Sequence, residues 1–252
     1  MTEGEHREFK GLDFEGFRRF AQDDALSCYE KIGFPDSYRS GKEEAIFADI
    51  RAKAPGMDLH ERSVLDIGPG CSGLPRMLID LCRQNGHQLY LVDSPEMLQH
   101  LPDEPFIRKI AAEFPAECRD FIGVMQGRID VILTYSVLHY VYPQGSVFGF
   151  LDACLQLLSP GGYLLIGDIP NISKRKRFFS SDAGARFHQS FMKTQDRPSV
   201  RFNCVEPAEI DDSVVLALLM RARAAGFDAY VLPQMDLLPM ANRREDILIR
   251  KP

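Results

Sequence analysis

The sequence predicts an α/β fold with a mostly parallel sheet, and three observations support this prediction. The first is an apolar strand that runs into a glycine-rich turn, then a helix and a second strand, over residues 64–93. The second is a Pro-Gly-Gly turn before a buried strand that ends at Asp168. The third is a closing helix followed by two strands, over residues 212–249. Strands that alternate with helices are typical of a parallel sheet covered by helices.

The first strand ends in an acid, Asp66, and leads into three closely spaced glycines, Gly68, Gly70 and Gly73. A strand that stops in such a turn exposes backbone N–H groups to a nucleotide-like ligand. Glycine suits the turn because it accepts unusual backbone angles and lets a ligand approach the main chain closely. A tight strand-to-helix turn without a ligand is the alternative interpretation of these glycines.

The next residues complete a βαβ unit. Residues 74–84 carry apolar side chains at helical spacing, and the predicted helix ends near Gly86. Residues 88–93 are a second strand with Asp93 at its end, about 20 residues beyond the glycines, where a carboxylate can accept hydrogen bonds from a ribose diol. NAD(P) and S-adenosylmethionine fit this pattern equally well, since both carry an adenosine ribose.

The acid Asp66 separates these two cofactors. A dinucleotide site must accommodate a pyrophosphate near the glycine turn, and an additional carboxylate there would repel it. A methionyl group carries an ammonium and a sulfonium, which nearby acids favour. The sequence around Asp66 therefore favours S-adenosylmethionine.

These motifs together resemble class I S-adenosylmethionine-dependent methyltransferases over roughly residues 60–250. The matching segments are the acid-glycine loop 66–73, the acid Asp93, the strand and turn 130–140, and the Pro-Gly-Gly turn. The resemblance implies a Rossmann-like three-layer sandwich, with a mostly parallel seven-stranded sheet. It also implies that the cofactor is S-adenosylmethionine.

The resemblance assigns the cofactor-binding residues by position. Residues 106–113 depart from the family pattern, because they form a poor strand, and Glu113 is the candidate there for contact with the adenine. The full predicted set is Asp66, Gly68, Pro69, Gly70, Asp93, Ser94, Met97, Glu113, Tyr135 and Ser136.

Composition excludes several other classes of protein. The chain has 252 residues, 45% of them apolar, and a net charge of −6, whereas nucleic-acid binders normally show a basic excess. No apolar run is long enough for a membrane helix, and the charged start lacks a signal peptide, which predicts a cytoplasmic protein. The six cysteines are scattered along the sequence, and we expect them to be reduced thiols. The sequence has no cluster of Cys and His residues that would predict a metal site.

The residues before the first strand form a predicted helical N-terminal arm, residues 1–58, and residues 59–252 form the methyltransferase domain. Helices are expected at 14–20, 25–32 and 42–52, with Ser40 as the cap of the third. In related enzymes such arms lie over the cofactor and shape the acceptor pocket. Residues 14–50 are also similar to methyltransferases of bacterial polysaccharide biosynthesis.

A lid-like insert of about 40 residues, 170–209, is expected at the C-terminal edge of the sheet, where ligands of open α/β sheets bind. It carries a basic run that includes Arg175 and Arg177, and His188 follows. These residues either bind a phosphate or carboxylate on the acceptor, or form a solvated face.

Transfer of an activated methyl group depends mainly on positioning of the nucleophile, and a hydroxyl acceptor also needs a base. His139 is the first candidate base because it follows the fourth strand, and Asp168 is the second. A structural histidine is the alternative for His139. Tyr140 is predicted to contact the acceptor, or else to belong to the core.

The predicted function is methyl transfer from S-adenosylmethionine to a small molecule, at the oxygen of a sugar or nucleotide-linked sugar. An NAD(P)-dependent oxidoreductase and a non-catalytic partner protein of the same fold are the alternatives. Neither nucleic acid nor membrane is an expected partner, and a homodimer is an open option.

Overall fold

The computed structural model describes residues 11–252 and contains a seven-stranded sheet in the order β3-β2-β1-β4-β5-β7-β6. Strand β7 runs antiparallel to β5 and β6, and the pairs among β1 to β5 are parallel. This is the predicted mostly parallel α/β sheet. The strands are β1 Ser63–Ile67, β2 Gln88–Asp93, β3 Ile107–Ala111, β4 Ile129–Tyr135, β5 Leu158–Pro170, β6 Asp228–Pro233 and β7 Arg244–Arg250.

Helices cover both faces of the sheet, and each face has its own apolar cluster. One cluster joins Leu151 and Leu218, and the other joins Ile50 and Leu78. None of the helices in residues 11–252 is long and apolar enough to cross a membrane. The helices are α1 Phe14–Gln22, α2 Asp36–Arg39, α3 Glu43–Lys53, α4 Gly73–Asn85, α5 Pro95–Leu98, α6 Arg119–Met125, α7 Leu138–Gln144, α8 Val147–Leu157, α9 Ile172–Ser180, α10 Asp182–Met192 and α11 Asp212–Ala224.

The strand order places a topological switch point between β1 and β4. The chain moves outward from β1 to β2 and β3, then crosses back to add β4 on the other side of β1. Ligands of open α/β sheets bind where the order reverses in this way, beyond the carboxyl ends of the strands. The loops after β1 and β4 therefore define the position of the candidate site.

The arm departs from the prediction at two points. Residues 25–32 form turns and the short 3-10 helix Glu30–Ile32 rather than an α-helix. Ser27 and Glu30 accept from each other's backbone N–H, at 3.1 and 2.8 Å, and form a capping box that starts the helical turn at Ser27 and leaves residues 25 and 26 outside it. The predicted cap of the third helix is wrong. Ser40 lies at the end of α2, and Lys42 is the residue before α3, because Gly41 between them turns the chain in a left-handed conformation.

The weak third strand is explained by its place in the sheet. Strand β3 lies at the edge and pairs only with β2 among the described strands. None of its five residues is fully buried, so the sequence shows no continuous apolar run there. Strand β5 also extends beyond its predicted end at Asp168, to Pro170.

Candidate functional site

The glycine loop after β1 is folded tightly against the residues around it. Gly68 and Gly70 have φ values of 71° and 66°, in the left-handed region that favours glycine. A Cβ on Gly70 would lie 2.5 Å from Cγ2 of Ile32, and one on Gly68 would lie 2.6 Å from Cγ2 of Val137. Both glycines are therefore required by the backbone and by close packing with the arm and the β4 loop.

Asp93 connects the end of β2 to this loop. Its Oδ2 accepts a hydrogen bond from the Gly70 N–H at 3.0 Å, and its Oδ1 accepts from the Ser94 N–H at 2.7 Å. Burial raises the pKa of Asp93 to about 6, against the opposing effect of these two bonds. The carboxylate has further lone pairs, and it lines the main cavity of the protein.

The main cavity has a volume of about 450 Å³ and lies at the carboxyl ends of β1, β2 and β4. Much of its wall is aromatic, and the arm supplies part of that wall. Nine of the residues predicted to bind the cofactor or acceptor line it: Gly68, Pro69, Gly70, Asp93, Met97, Glu113, Tyr135, Ser136 and Tyr140.

Two predicted cofactor residues lie behind this wall. Asp66 is buried and does not line the cavity, and burial together with the negative charge of Asp93 raises its pKa to about 8. Ser94 is fully buried and accepts a bond from the Met97 N–H at 3.1 Å, so it caps α5. Neither residue is therefore placed to contact a ligand in the cavity.

The arm contributes lining residues that were not among the predicted site residues: Phe14, Phe17, Ile32, Phe34 and Arg39. The aromatic residues Phe14, Phe17 and Phe34 were expected from the sequence to pack on the core. Phe17 packs edge-on against Tyr140, with ring centroids 4.7 Å apart. The many aromatic residues of the arm were the signal for this packing. The position of Arg39, a buried cation among aromatic rings, had no signal of that kind.

A polar cluster lies where β4 and β5 end. Ser136 and Asp168 have left-handed φ values of 62° and 59°, and the Ser136 Oγ donates to the Asp168 Oδ2 at 2.5 Å. Arg39 Nη2 donates to the Ser136 Oγ at 2.5 Å and to the Asp168 Oδ2 at 3.2 Å, and Arg244 Nη1 lies 3.0 Å from the same Oδ2. Left-handed residues that are not glycine concentrate at functional sites.

The two candidate bases are both poorly suited to remove a proton near neutral pH. Burial would raise the pKa of Asp168, but the Arg244 and Arg39 guanidinium groups hold it below its usual value. Burial and the Arg244 charge lower the pKa of His139 to about 3. The His139 ring packs on Tyr140, and its buried Nδ1 has no hydrogen-bond partner within residues 11–252. Neither His139 nor Asp168 lines the cavity.

The insert does not reach this cavity, since no lining residue lies between positions 170 and 209. Arg177 forms an exposed ion pair with Asp212. Arg175 and His188 line a second cavity of about 510 Å³ within the insert, together with Lys176, Arg197, Arg201 and Glu206. The structure therefore separates Arg175, Arg177 and His188 from the residues predicted to bind the cofactor.

The residues at the main cavity suit a cofactor that carries an adenosine ribose. Asp93 can accept hydrogen bonds from a ribose diol. Asp66, the acid expected to separate the two cofactors, does not line the cavity, and its pKa of about 8 leaves it uncharged near neutral pH. The geometry of the cavity therefore does not by itself separate S-adenosylmethionine from a dinucleotide.

Comparison with known proteins agrees with this geometry. A family model described as a methyltransferase domain matches residues 38–196. No curated protein shows significant sequence similarity to the chain.

Three solved structures share the fold. An O-methyltransferase family protein from Burkholderia thailandensis has a TM-score of 0.56 and 17% identity, over 99% of this chain and 66% of its own. The CurJ carbon methyltransferase has a TM-score of 0.53 and 15% identity, over 96% and 65%. Phosphoethanolamine N-methyltransferase 2 of Haemonchus contortus, in complex with S-adenosyl-L-methionine, has a TM-score of 0.52 and 15% identity, over 96% and 61%. The chain thus spans about two thirds or less of each neighbour.

Proposed function

This chain belongs to the methyltransferase domain family and is an S-adenosylmethionine-dependent methyltransferase, and we propose that it methylates a small-molecule acceptor at oxygen. The observation that carries this proposal is the shared cavity. The glycine loop and Asp93 line one part of it, and the arm with Tyr135, Ser136 and Tyr140 lines another. One shared space could thereby hold cofactor and acceptor side by side, as direct transfer between them requires.

The cofactor is assigned to the part formed by β1 and β2. Asp93 would accept the ribose hydroxyls, the loop 68–70 would lie along the methionyl part, and Met97 with Glu113 would border the adenine. The cofactor supplies a methyl group that is already activated by a positive sulfur. The protein's part is to orient the acceptor and to exclude water from the cavity.

The acceptor is assigned to the part formed by the arm and the β4 loop. Phe14, Phe17 and Phe34 give this part an apolar wall, which suits an acceptor with an apolar body. Ser136 and Arg39 are polar residues beside that wall and can orient an oxygen. The family membership sets aside the oxidoreductase alternative.

A sugar or nucleotide-linked sugar is the second candidate acceptor, as expected from the sequence. The observation that favours it is the second cavity, where Arg175 and His188 lie with other basic side chains and could hold a phosphate. This candidate requires the acceptor to engage the insert. Replacement of Arg175 and His188 by alanine would then weaken binding of the acceptor and leave the affinity for the cofactor unchanged.

Calorimetric titration with S-adenosylhomocysteine tests the cofactor assignment, with NADH and NADPH as controls. We expect micromolar binding of S-adenosylhomocysteine and no binding of either nicotinamide cofactor. A mass-spectrometric screen of hydroxyl, carboxyl and amine acceptors with S-adenosylmethionine then tests the oxygen assignment. Methylation of amines alone would refute it.

A further inference from the structure

Arg39 is the buried cation of the main cavity wall. Its side chain is 6% exposed, and its guanidinium lies 4.2 Å from the Phe34 ring centroid and 5.6 Å from that of Tyr135. Two aromatic faces in these positions fix the plane of the guanidinium. A guanidinium fixed in this way can donate a charged hydrogen bond to a carboxylate on a ligand.

Arg39 keeps hydrogen-bond donors that a ligand can use. Arg39 and Arg244 both pair with the single carboxylate of Asp168. The nearby acids Asp49 and Asp246 are both bound to Lys53. These three cations and three carboxylates balance in charge. Arg39 donates to Ser136 and Asp168 from Nη2, so its Nε and Nη1 can donate to a ligand.

The groups near this end supply no base for a neutral hydroxyl. His139 is kept neutral and Asp168 is kept ionised within its ion pairs, as described above. Burial also raises the pKa of the Tyr140 hydroxyl to about 12. Because base catalysis needs a group that titrates near the working pH, an acceptor oxygen that is already ionised suits this site best.

We propose that the acceptor is an apolar monocarboxylate, which Arg39 binds through its carboxylate and which is methylated on that carboxylate. The proposal rests on the proposed function above and names its substrate class. The aromatic wall holds the apolar body, and Arg39 directs one carboxylate oxygen toward the methyl donor. Ser136 and Asp168 position the guanidinium through hydrogen bonds to its Nη2.

The reaction balances without any proton transfer. A carboxylate oxygen forms a bond to the methyl carbon with its own electron pair, and the bond between that carbon and sulfur breaks. The sulfur keeps the electron pair of the broken bond and becomes neutral. The products are a methyl ester and S-adenosylhomocysteine, so the single negative charge of the acceptor and the positive charge of the donor are both lost.

The test compares acids with their uncharged amides on protein saturated with S-adenosylhomocysteine. The probes are benzoate, phenylacetate and hexanoate, each titrated against benzamide, phenylacetamide and hexanamide. We expect at least one acid to bind tenfold or more tighter than its amide. With S-adenosylmethionine in place of the product, that acid should yield its methyl ester, detected by mass spectrometry.

Two variants of Arg39 separate binding from structure. R39M should weaken binding of the preferred acid by about ten- to 150-fold, which is the range for a charged hydrogen bond. R39K should restore part of that affinity. Affinity for the amide should change far less. The matched control is R18M, which removes another ion pair between arm and core, Arg18–Glu96, outside the cavity, and should keep the preference for the acid.

Three results would overturn the proposal. The first is equal affinity of the native protein for acid and amide. The second is an equal loss of affinity for acid and amide in R39M, and the third is no binding of any of the three acids. Absence of S-adenosylhomocysteine binding would instead refute the proposed function, so the two failures are distinguishable.

Discussion

The N-terminal arm and the insert are both additions to the same sheet, yet only the arm forms part of the main cavity. The arm supplies Phe14, Phe17, Phe34 and Arg39 to its wall, whereas the insert encloses a cavity of its own. Both segments are rich in aromatic and charged residues. Composition alone therefore does not decide which addition reaches a site.

The difference lies in how each segment is attached to the core. The arm makes buried polar contacts: Arg39 with Asp168, and Lys53 with Asp246 at 2.6 Å. The ion pair between the insert and the core, Arg177–Asp212, is exposed. Exposed pairs contribute about 0–1 kcal/mol, whereas removing one partner of a buried pair costs about 3–5 kcal/mol. Buried attachment fixes the arm in the place where a site can use it.

The largest effect is expected for K53M. The variant leaves Asp49 and Asp246 buried without their shared cation, so we expect the free energy of unfolding to fall by about 3–5 kcal/mol in urea denaturation. The matched control is R177A in the insert, which removes the exposed pair with Asp212 and should lose no more than about 1 kcal/mol. Equal losses in the two variants would show that the arm and the insert are attached alike.

The next effect concerns the cofactor part of the cavity. D93A removes the acceptor for the ribose hydroxyls, and we expect S-adenosylhomocysteine affinity to fall by about 1.5–3 kcal/mol in calorimetric titration. Asp103 is an exposed acid that pairs with Lys109 on β3, so D103A serves as the control and should bind normally. Unchanged affinity in D93A would refute the placement of the ribose at this residue.

A smaller effect follows from the pKa of Asp93, which burial raises to about 6. The ribose hydroxyls donate to the ionised carboxylate, and this form is lost as the pH falls through 6. We therefore expect S-adenosylhomocysteine affinity to be roughly tenfold weaker at pH 5 than at pH 7. In D93N the affinity should not vary over this range, and the same slope in D93N would assign the effect to another group.

The smallest effect is expected in the insert. The double variant R175A/H188A changes residues of the second cavity only, so S-adenosylhomocysteine affinity should stay within about twofold, or ~0.4 kcal/mol. Its effect on acceptor affinity decides between the two acceptor classes. A large loss would favour a phosphorylated acceptor, and no loss would favour the carboxylate at Arg39.

The sequence best predicted the elements whose structure depends on residues close together in the chain. Strand β2 has its predicted bounds, Gln88–Asp93, and the loop with Asp93 occupies the cavity wall. All of these features lie within about 30 residues, in a βαβ unit whose apolar periodicity and glycines are visible in the sequence. The edge strand β3 was hard to predict from the sequence, because its half-buried residues do not form a continuous apolar run.

What the sequence could not predict depends on distant partners. Arg39 and Asp168 are 129 positions apart, and no local pattern indicates that they meet. His139 was proposed as the base from its place after β4, but its burial beside Arg244 becomes visible only in three dimensions. The basic run of the insert likewise gave no indication that Arg177 would pair with Asp212.

Hydrogen–deuterium exchange with and without S-adenosylhomocysteine tests most directly the claim that the arm, and not the insert, completes the cofactor cavity. We predict slower amide exchange in the glycine loop 68–73 and in the arm at residues 14–39, with no change over residues 172–192. Protection of residues 172–192 with none in the arm would contradict the account.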